Sequence, residues 1–145
     1  MGVRQITSFR NEYAFLSNFY EHDGRITAEH LFQSMKCAVP WWQLYILDAP
    51  NPAEAKKRGR QAPMREDWED IKLRVMESIL LMKFRPGSEM LTRLLSTGDA
   101  ELIEGNWWGD KYWGVCDGTG FNHLGKILMK IRHSYGEGRG EYIGD

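Results

Sequence analysis

The sequence predicts a single α+β domain that is predominantly helical and carries short β elements near its N-terminus. Three observations predict it. Four segments carry helical starts, stops or apolar spacing, and one aromatic-rich stretch near the N-terminus has extended character. The chain of 145 residues, 42% hydrophobic with 6 Trp, 6 Tyr and 6 Phe, suffices for one core and is small for two. The domain is expected over residues 1–135. Residues 136–145, where Gly136, Gly138, Gly140 and Gly144 alternate with charges, are expected to form a flexible tail.

Each element has its own reason. Ile6, Phe9, Tyr13, Phe15, Leu16, Phe19 and Tyr20, closed by the turn-forming pair Asp23-Gly24, read as one or two short strands. Thr27 is an N-cap for a helix over 28–39, with Leu31, Phe32 and Met35 on its apolar side and Pro40 as its stop. Asn51-Pro52 opens a second helix through a cap and an N1 proline, with Glu54 at the capping-box position, and Gly59 is expected to end it. Asp67 opens the core helix, in which Trp68, Ile71, Val75, Met76, Ile79, Leu80 and Phe84 recur at helical spacing until Pro86-Gly87. A short helical turn is expected over 88–95. Asn122 then caps a last helix whose Leu124, Ile127, Leu128 and Ile131 face inward.

Charge and cysteine usage narrow the function classes. Nineteen Lys and Arg against 20 Asp and Glu give a net charge of -1, so no global field draws the protein onto nucleic acid or anionic lipid. No apolar run approaches the roughly 18 residues that span a bilayer, and Met1 to Asn11 lacks the apolar core of a signal peptide. No membrane partner is expected, and the cytoplasm is the expected compartment. Cys37 and Cys116 stand far apart without CxxC spacing, as buried or incidental thiols do in a reducing compartment. His22, His30, His123 and His133 show no HxxxH or HExxH grouping, so neither a metal nor a cofactor is expected.

The residues that offer chemistry lie in four segments and one Trp pair. Glu29, Gln33 and Lys36, at i, i+4 and i+7 of the first helix, share one stripe. Such a stripe is either a solvated face or a catalytic wall, in which the carboxylate acts as base or stabilises a cation and the lysine is a nucleophile or a phosphate ligand. The segment from Glu104 to Gly114 packs two carboxylates, three Trp and two further Gly without helical period, which suits a lid on the core or a site with stacking surfaces. From Gly114 to Gly125 the chain runs into the last helix, whose first amides can hold an anion, although neither a Walker loop nor a dinucleotide fingerprint is present. Finally, the basic run Lys56, Lys57, Arg58 and Arg60 reads as a solvated face or as a phosphate site, and Trp41 and Trp42 as core or partner surface.

Several of these residues, taken in order, carry a resemblance that none carries singly. Phe15-Leu16-Ser17-Asn18-Phe19, Thr27-Ala28-Glu29-His30-Leu31-Phe32-Gln33 ending at Lys36, Arg58-Gly59-Arg60, Asp67-Trp68, Lys83-Phe84, Leu102-Ile103-Glu104 and Asp110-Lys111-Tyr112-Trp113-Gly114 resemble the NADAR (YbiA-like) family. Asn122, Leu124, Gly125, Leu128, Met129 and Arg132 complete a similarity that covers about Ile6 to Arg132. The resemblance implies a compact, mostly helical α+β domain acting as an N-glycosidase, which cleaves the bond between ribose and a heterocyclic or exocyclic nitrogen. The substrate classes it implies are phosphoribosylated riboflavin-pathway intermediates and ADP-ribose attached to guanine. The partner is then a small nucleotide or phosphoribosyl substrate, or an ADP-ribosylated nucleic acid.

Carried onto this chain, the resemblance implies Glu29, Lys36 and Asp110 as catalytic residues. Cleavage builds positive charge on the anomeric carbon, so Glu29 is expected to stabilise that cation and position water, with Asp110 orienting the ribose hydroxyls or sharing the acid role. Lys36 is the competing centre, as a Schiff-base nucleophile. Trp68 and Trp113 are expected to hold base or ribose, Arg58 and Arg60 to bind phosphate, and Gly114 and Asn122 to line the substrate. Two departures bear on the substrate more than on the chemistry: Val115-Cys116-Asp117 replaces a more glycine-rich stretch, and Trp41-Trp42 has no family counterpart. Two other classes compete, a non-catalytic module that senses ADP-ribose or a related nucleotide and a protein-interaction domain that uses its exposed aromatics.

Overall fold

The computed structural model describes residues 4–22, 24 and 26–137. Asp23 of the expected turn and residues 138–145 of the expected tail lie outside the described residues. In chain order the elements are β1 (Gln5–Ile6), a 3-10 helix (Asn11–Leu16), α1 (Ala28–Met35), α2 (Pro40–Leu47), α3 (Pro52–Gln61), α4 (Trp68–Lys83), α5 (Glu89–Ser96), β2 (Glu101–Leu102), β3 (Gly105–Asn106), β4 (Val115–Cys116) and α6 (His123–Glu137). The predominantly helical α+β class is as expected. The chain forms two compact units, one of residues 18–79 and one of the segments on either side, with α4 beginning in the first and ending in the second.

In the 18–79 unit α1 packs on α2 and α3, and α2 packs on α3. Thr27 caps α1 as expected, and the N3 residue of its capping box is His30. The ring of His30 is fully buried, with Nε2 donating to the Ala49 carbonyl at 2.9 Å and Nδ1 accepting from the Thr27 amide at 3.1 Å. One imidazole thereby ties the start of α1 to the turn between α2 and α3. Asn51 caps α3 by accepting from the Glu54 amide at 2.8 Å, and Ile46, Ala49 and Ala55 form a small core under these caps.

Two expectations fail here for physical reasons. The first helix stops at Met35, and Pro40 is the N1 residue of α2 and no stop, because a proline without an N–H fits the first turn, where amides lack partners. The sequence of α2, Pro-Trp-Trp-Gln-Leu-Tyr-Ile-Leu, has no amphipathic period, and only Ile46 within it is buried. Gly59 does not end α3, which continues to Gln61.

In the other unit β1 pairs in parallel with β2, with Ile6 opposite Leu102, and β3 pairs in parallel with β4. Leu80, Phe84, Leu94, Leu102, Leu128 and Ile131 fill its core, where α6 lies against α5 and β2. The aromatic N-terminal stretch is strand for two residues only. Asn11 takes a left-handed φ of 55°, and amide bonds from Tyr13 to Arg10 and from Ser17 to Ala14, both 2.9 Å, wind Asn11–Leu16 into the 3-10 helix.

Candidate active site

The polar stripe of α1 is a buried network. Glu29 is 7% exposed and Gln33 4%. Gln33 Nε2 donates to Glu29 Oε2 at 2.6 Å, and Lys36 Nζ donates to Gln33 Oε1 at 3.2 Å. The stripe is buried because α3 lies across it. Where α3 crosses, residue 59 is glycine, and a Cβ there would overlap the Gln33 side chain.

The electrostatics follow from that burial. Desolvation pushes the Glu29 carboxyl above the usual carboxylate range, opposed by the Gln33 hydrogen bond and by the charges of Lys56 and Lys36. Burial pulls Lys36 below the usual ammonium range; Glu29 opposes this, and Arg60, Lys56 and Lys72 add to it. One carboxylate and one ammonium are thus both biased toward their neutral forms, which is how acid and base groups are set to exchange protons near neutral pH.

The basic run divides. Lys56 and Arg60, one helical turn apart on α3, act on the Glu29–Lys36 pair, and Lys56 also lies 5.9 Å over the Phe19 ring. Arg58 does not join them: it donates to Glu54 at 3.0 Å and to the Tyr45 carbonyl at 2.8 Å and stacks on the Tyr45 ring. Trp68 packs on Phe32 at 5.0 Å and is 3% exposed, so its ring backs α1 from the core. The sequence reading missed Asn18. Its carbonyl accepts from the Glu29 amide at 3.0 Å, and its Oδ1 is buried without a hydrogen-bond partner among the described residues. Only its place in the Phe-Leu-Ser-Asn-Phe segment signals it in the sequence.

Asp110, Trp113, Gly114 and Asn122 gather in the other unit. Asp110 Oδ1 accepts from the amides of Tyr112 at 3.1 Å and Trp113 at 2.9 Å, and the Asn106 amide group clasps the Asp110 backbone at both ends. Trp113 is half-buried, edge-on to Tyr112 at 4.8 Å. Gly114 is buried where a Cβ would meet the Glu104 carbonyl and carboxylate, so its missing side chain admits the paired strand. Asn122 sits at the start of α6 with a left-handed φ of 57°, but its side chain serves β2, accepting from Glu104 at 3.0 Å and donating to Leu102 at 2.9 Å. Trp107, 77% exposed, and Trp108 project from the same loop.

The NADAR domain model matches residues 6–135 of this chain. The chain belongs to the NADAR domain family. It is 35% identical over 134 residues to the N-glycosidase YbiA of Escherichia coli K12, covering 86% of this chain and 83% of that one. It is 35% identical over 136 residues to the N-glycosidase Npun_R5314 of Nostoc punctiforme, covering 83% and 84%. The riboflavin biosynthesis protein VVA0006 of Vibrio vulnificus is 36% identical over 134 residues, which are 86% of this chain and 36% of that protein. The NMR structure of Escherichia coli YbiA superposes with a TM-score of 0.77 at 33% identity over 92% of this chain and 84% of the other. Within this NADAR domain no helix among the described residues is long and apolar enough to cross a membrane.

Proposed function

We propose that this NADAR chain is an N-glycosidase that hydrolyses the bond between ribose C1′ and a nitrogen of a phosphoribosyl or ADP-ribosyl substrate. The observation that carries the reading is Glu29, a buried carboxyl bracketed by Lys36 and Lys56. As the C1′–N bond breaks, its electron pair leaves with the nitrogen, which takes up a proton, and positive charge spreads over C1′ and the ring oxygen. The Glu29 carboxylate stabilises that charge and accepts the proton of the water that attacks C1′. Lys56 and Arg60 supply the positive charge that a phosphate needs. Asn18 Oδ1, an acceptor bonded through its own backbone to Glu29, suits a substrate hydroxyl. For Asp110 and Trp113 we propose the roles of ribose-orienting carboxylate and stacking ring.

The test is direct. The protein is incubated separately with ADP-ribosylated guanine oligonucleotides and with phosphoribosylaminopyrimidines, and product release is followed by mass spectrometry. Release of free base or amine together with the ribosyl product is expected from one of the two. Binding without release from either would make the domain a nucleotide sensor.

A second route is favoured by the depressed Lys36. A neutral amine there attacks C1′, displaces the nitrogen and leaves an imine on the opened sugar, which water hydrolyses to regenerate the lysine. Borohydride added during turnover reduces such an imine to a stable adduct on Lys36. The absence of an adduct, together with an active Lys36→Ala variant, would leave Glu29 as the sole centre.

A further inference from the structure

Gln33 is an amide buried among charged groups, and such a group is tolerated only where both of its ends are bonded. Both are, to the Glu29 carboxylate at one end and the Lys36 ammonium at the other. Its orientation is forced. An ammonium can only donate, so the amide oxygen must face Lys36, and the amide N–H is thereby turned onto Glu29. Because the amide does not titrate, it delivers that hydrogen bond at every working pH.

The second observation comes from another element. Glycine inside a helix costs stability relative to alanine, yet α3 carries Gly59 two residues before its end. An added Cβ would overlap Oε1 of Gln33 and press on its Cβ and Cδ. The gap in α3 is therefore shaped to the Gln33 amide. Lys36, at the other end, is held by its own carbonyl, which accepts from the Arg65 amide at 2.8 Å.

We propose that Gln33 is the positioning residue of this site, fixing the direction of the Glu29 carboxylate and the Lys36 ammonium, and that Gly59 is the recess that holds it there. The inference rests on the reading of Glu29 as the acid–base group. The groups that face Glu29 are Lys36 and His30 from α1 and Lys56 from α3; Arg60 and Lys72 face Lys36. A substitution at residue 33 or 59 removes none of these groups.

Two variants of the full chain test it. Gln33→Met keeps the length and loses the donor; Gly59→Ala keeps Gln33 and closes its recess. In both, the Glu29 carboxyl carbon, followed by NMR in carboxyl-labelled protein without substrate, should titrate at higher pH than in the wild type. The acid limb of the kcat profile should move the same way, with kcat down by roughly tenfold or more and KM within a few fold. A Glu29 titration that stays in place in the folded variants would overturn the proposal. Glu29→Gln with wild-type turnover would instead remove Glu29 from the chemistry, and the substrate-free titration separates the two failures.

Discussion

The Arg58 guanidinium lies 4.1 Å from the centre of the Tyr45 ring and donates to the Tyr45 carbonyl at 2.8 Å, so this cation belongs to the seam between α2 and α3. With the Glu54 ion pair on the same helix, it holds three contacts that a ligand would have to break. Arg58→Ala is expected to lower stability by about 1 to 2 kcal/mol, from the loss of stacking and of a carbonyl partner, and to leave phosphate-ligand affinity within twofold. Lys56→Ala and Arg60→Ala should do the reverse, weakening a phosphorylated ligand several-fold at unchanged Tm. Thermal melts and titration calorimetry with ADP-ribose read both.

Glu29→Gln is expected to reduce turnover by at least about a hundredfold while ligand affinity stays within a few fold, since the amide keeps the shape and loses the charge that matters in the transition state. The same variant has a stability signature. The folded carboxyl holds its proton more tightly than the unfolded one, so its stabilising contribution is complete below the unfolded value of 4.5 and is lost as pH rises through the raised folded value. At neutral pH the glutamine variant should therefore melt at or above the wild-type temperature. A variant that is both inactive and strongly destabilised would indicate that Glu29 acts through packing.

Much of the fold was legible in the sequence, and the rest was lost for identifiable reasons. The caps at Thr27 and Asn51 announced α1 and α3, because a capping side chain leaves a local signature. The helix at Pro40 left none: with apolar residues on every side, it offered no period to count. At the site, helical spacing placed Glu29, Gln33 and Lys36 on one stripe but could not tell a solvated stripe from one covered by α3. What decides that is Gly59, which reads as a helix stop along the chain and is a recess in space. Likewise, charge alone cannot separate Arg58 from Arg60, because their difference lies in Tyr45, 13 residues away from Arg58.

Asp110 is expected to separate charge from structure. Its Oδ1 holds the amides of Tyr112 and Trp113, and an asparagine oxygen can keep both bonds. Asp110→Asn should therefore retain Tm and, if the carboxylate orients ribose, still lose turnover by roughly tenfold or more. Asp110→Ala should lose turnover and loosen the loop together. Trp113→Ala, in a protein that still melts cooperatively, should weaken ADP-ribose about tenfold, the scale of one stacked ring. Full activity in Asp110→Asn would make the residue a turn former only.

Lys83 gives a prediction that depends on pH alone. At the end of α4 its Nζ donates to the Ser17 carbonyl at 2.8 Å and lies 5.1 Å over the Phe84 ring, and burial pulls its pKa down from 10.5 to about 7. A lysine depressed in the folded state contributes stability that is complete above the unfolded value and is lost as pH falls through the folded one. Wild-type stability from this group should thus climb between pH 7 and 9, by on the order of 1 kcal/mol per pH unit. Lys83→Met removes the titration while keeping the aliphatic stem, at the cost of one carbonyl partner. The difference in Tm between wild type and variant, measured from pH 6 to pH 9, should therefore widen in favour of the wild type as pH rises. Taking the difference cancels the opposing drift from Glu29 and the parallel one from Lys36. A pH-independent difference would mean that Lys83 keeps an ordinary lysine pKa in the folded chain and that its ammonium is stabilised where it sits.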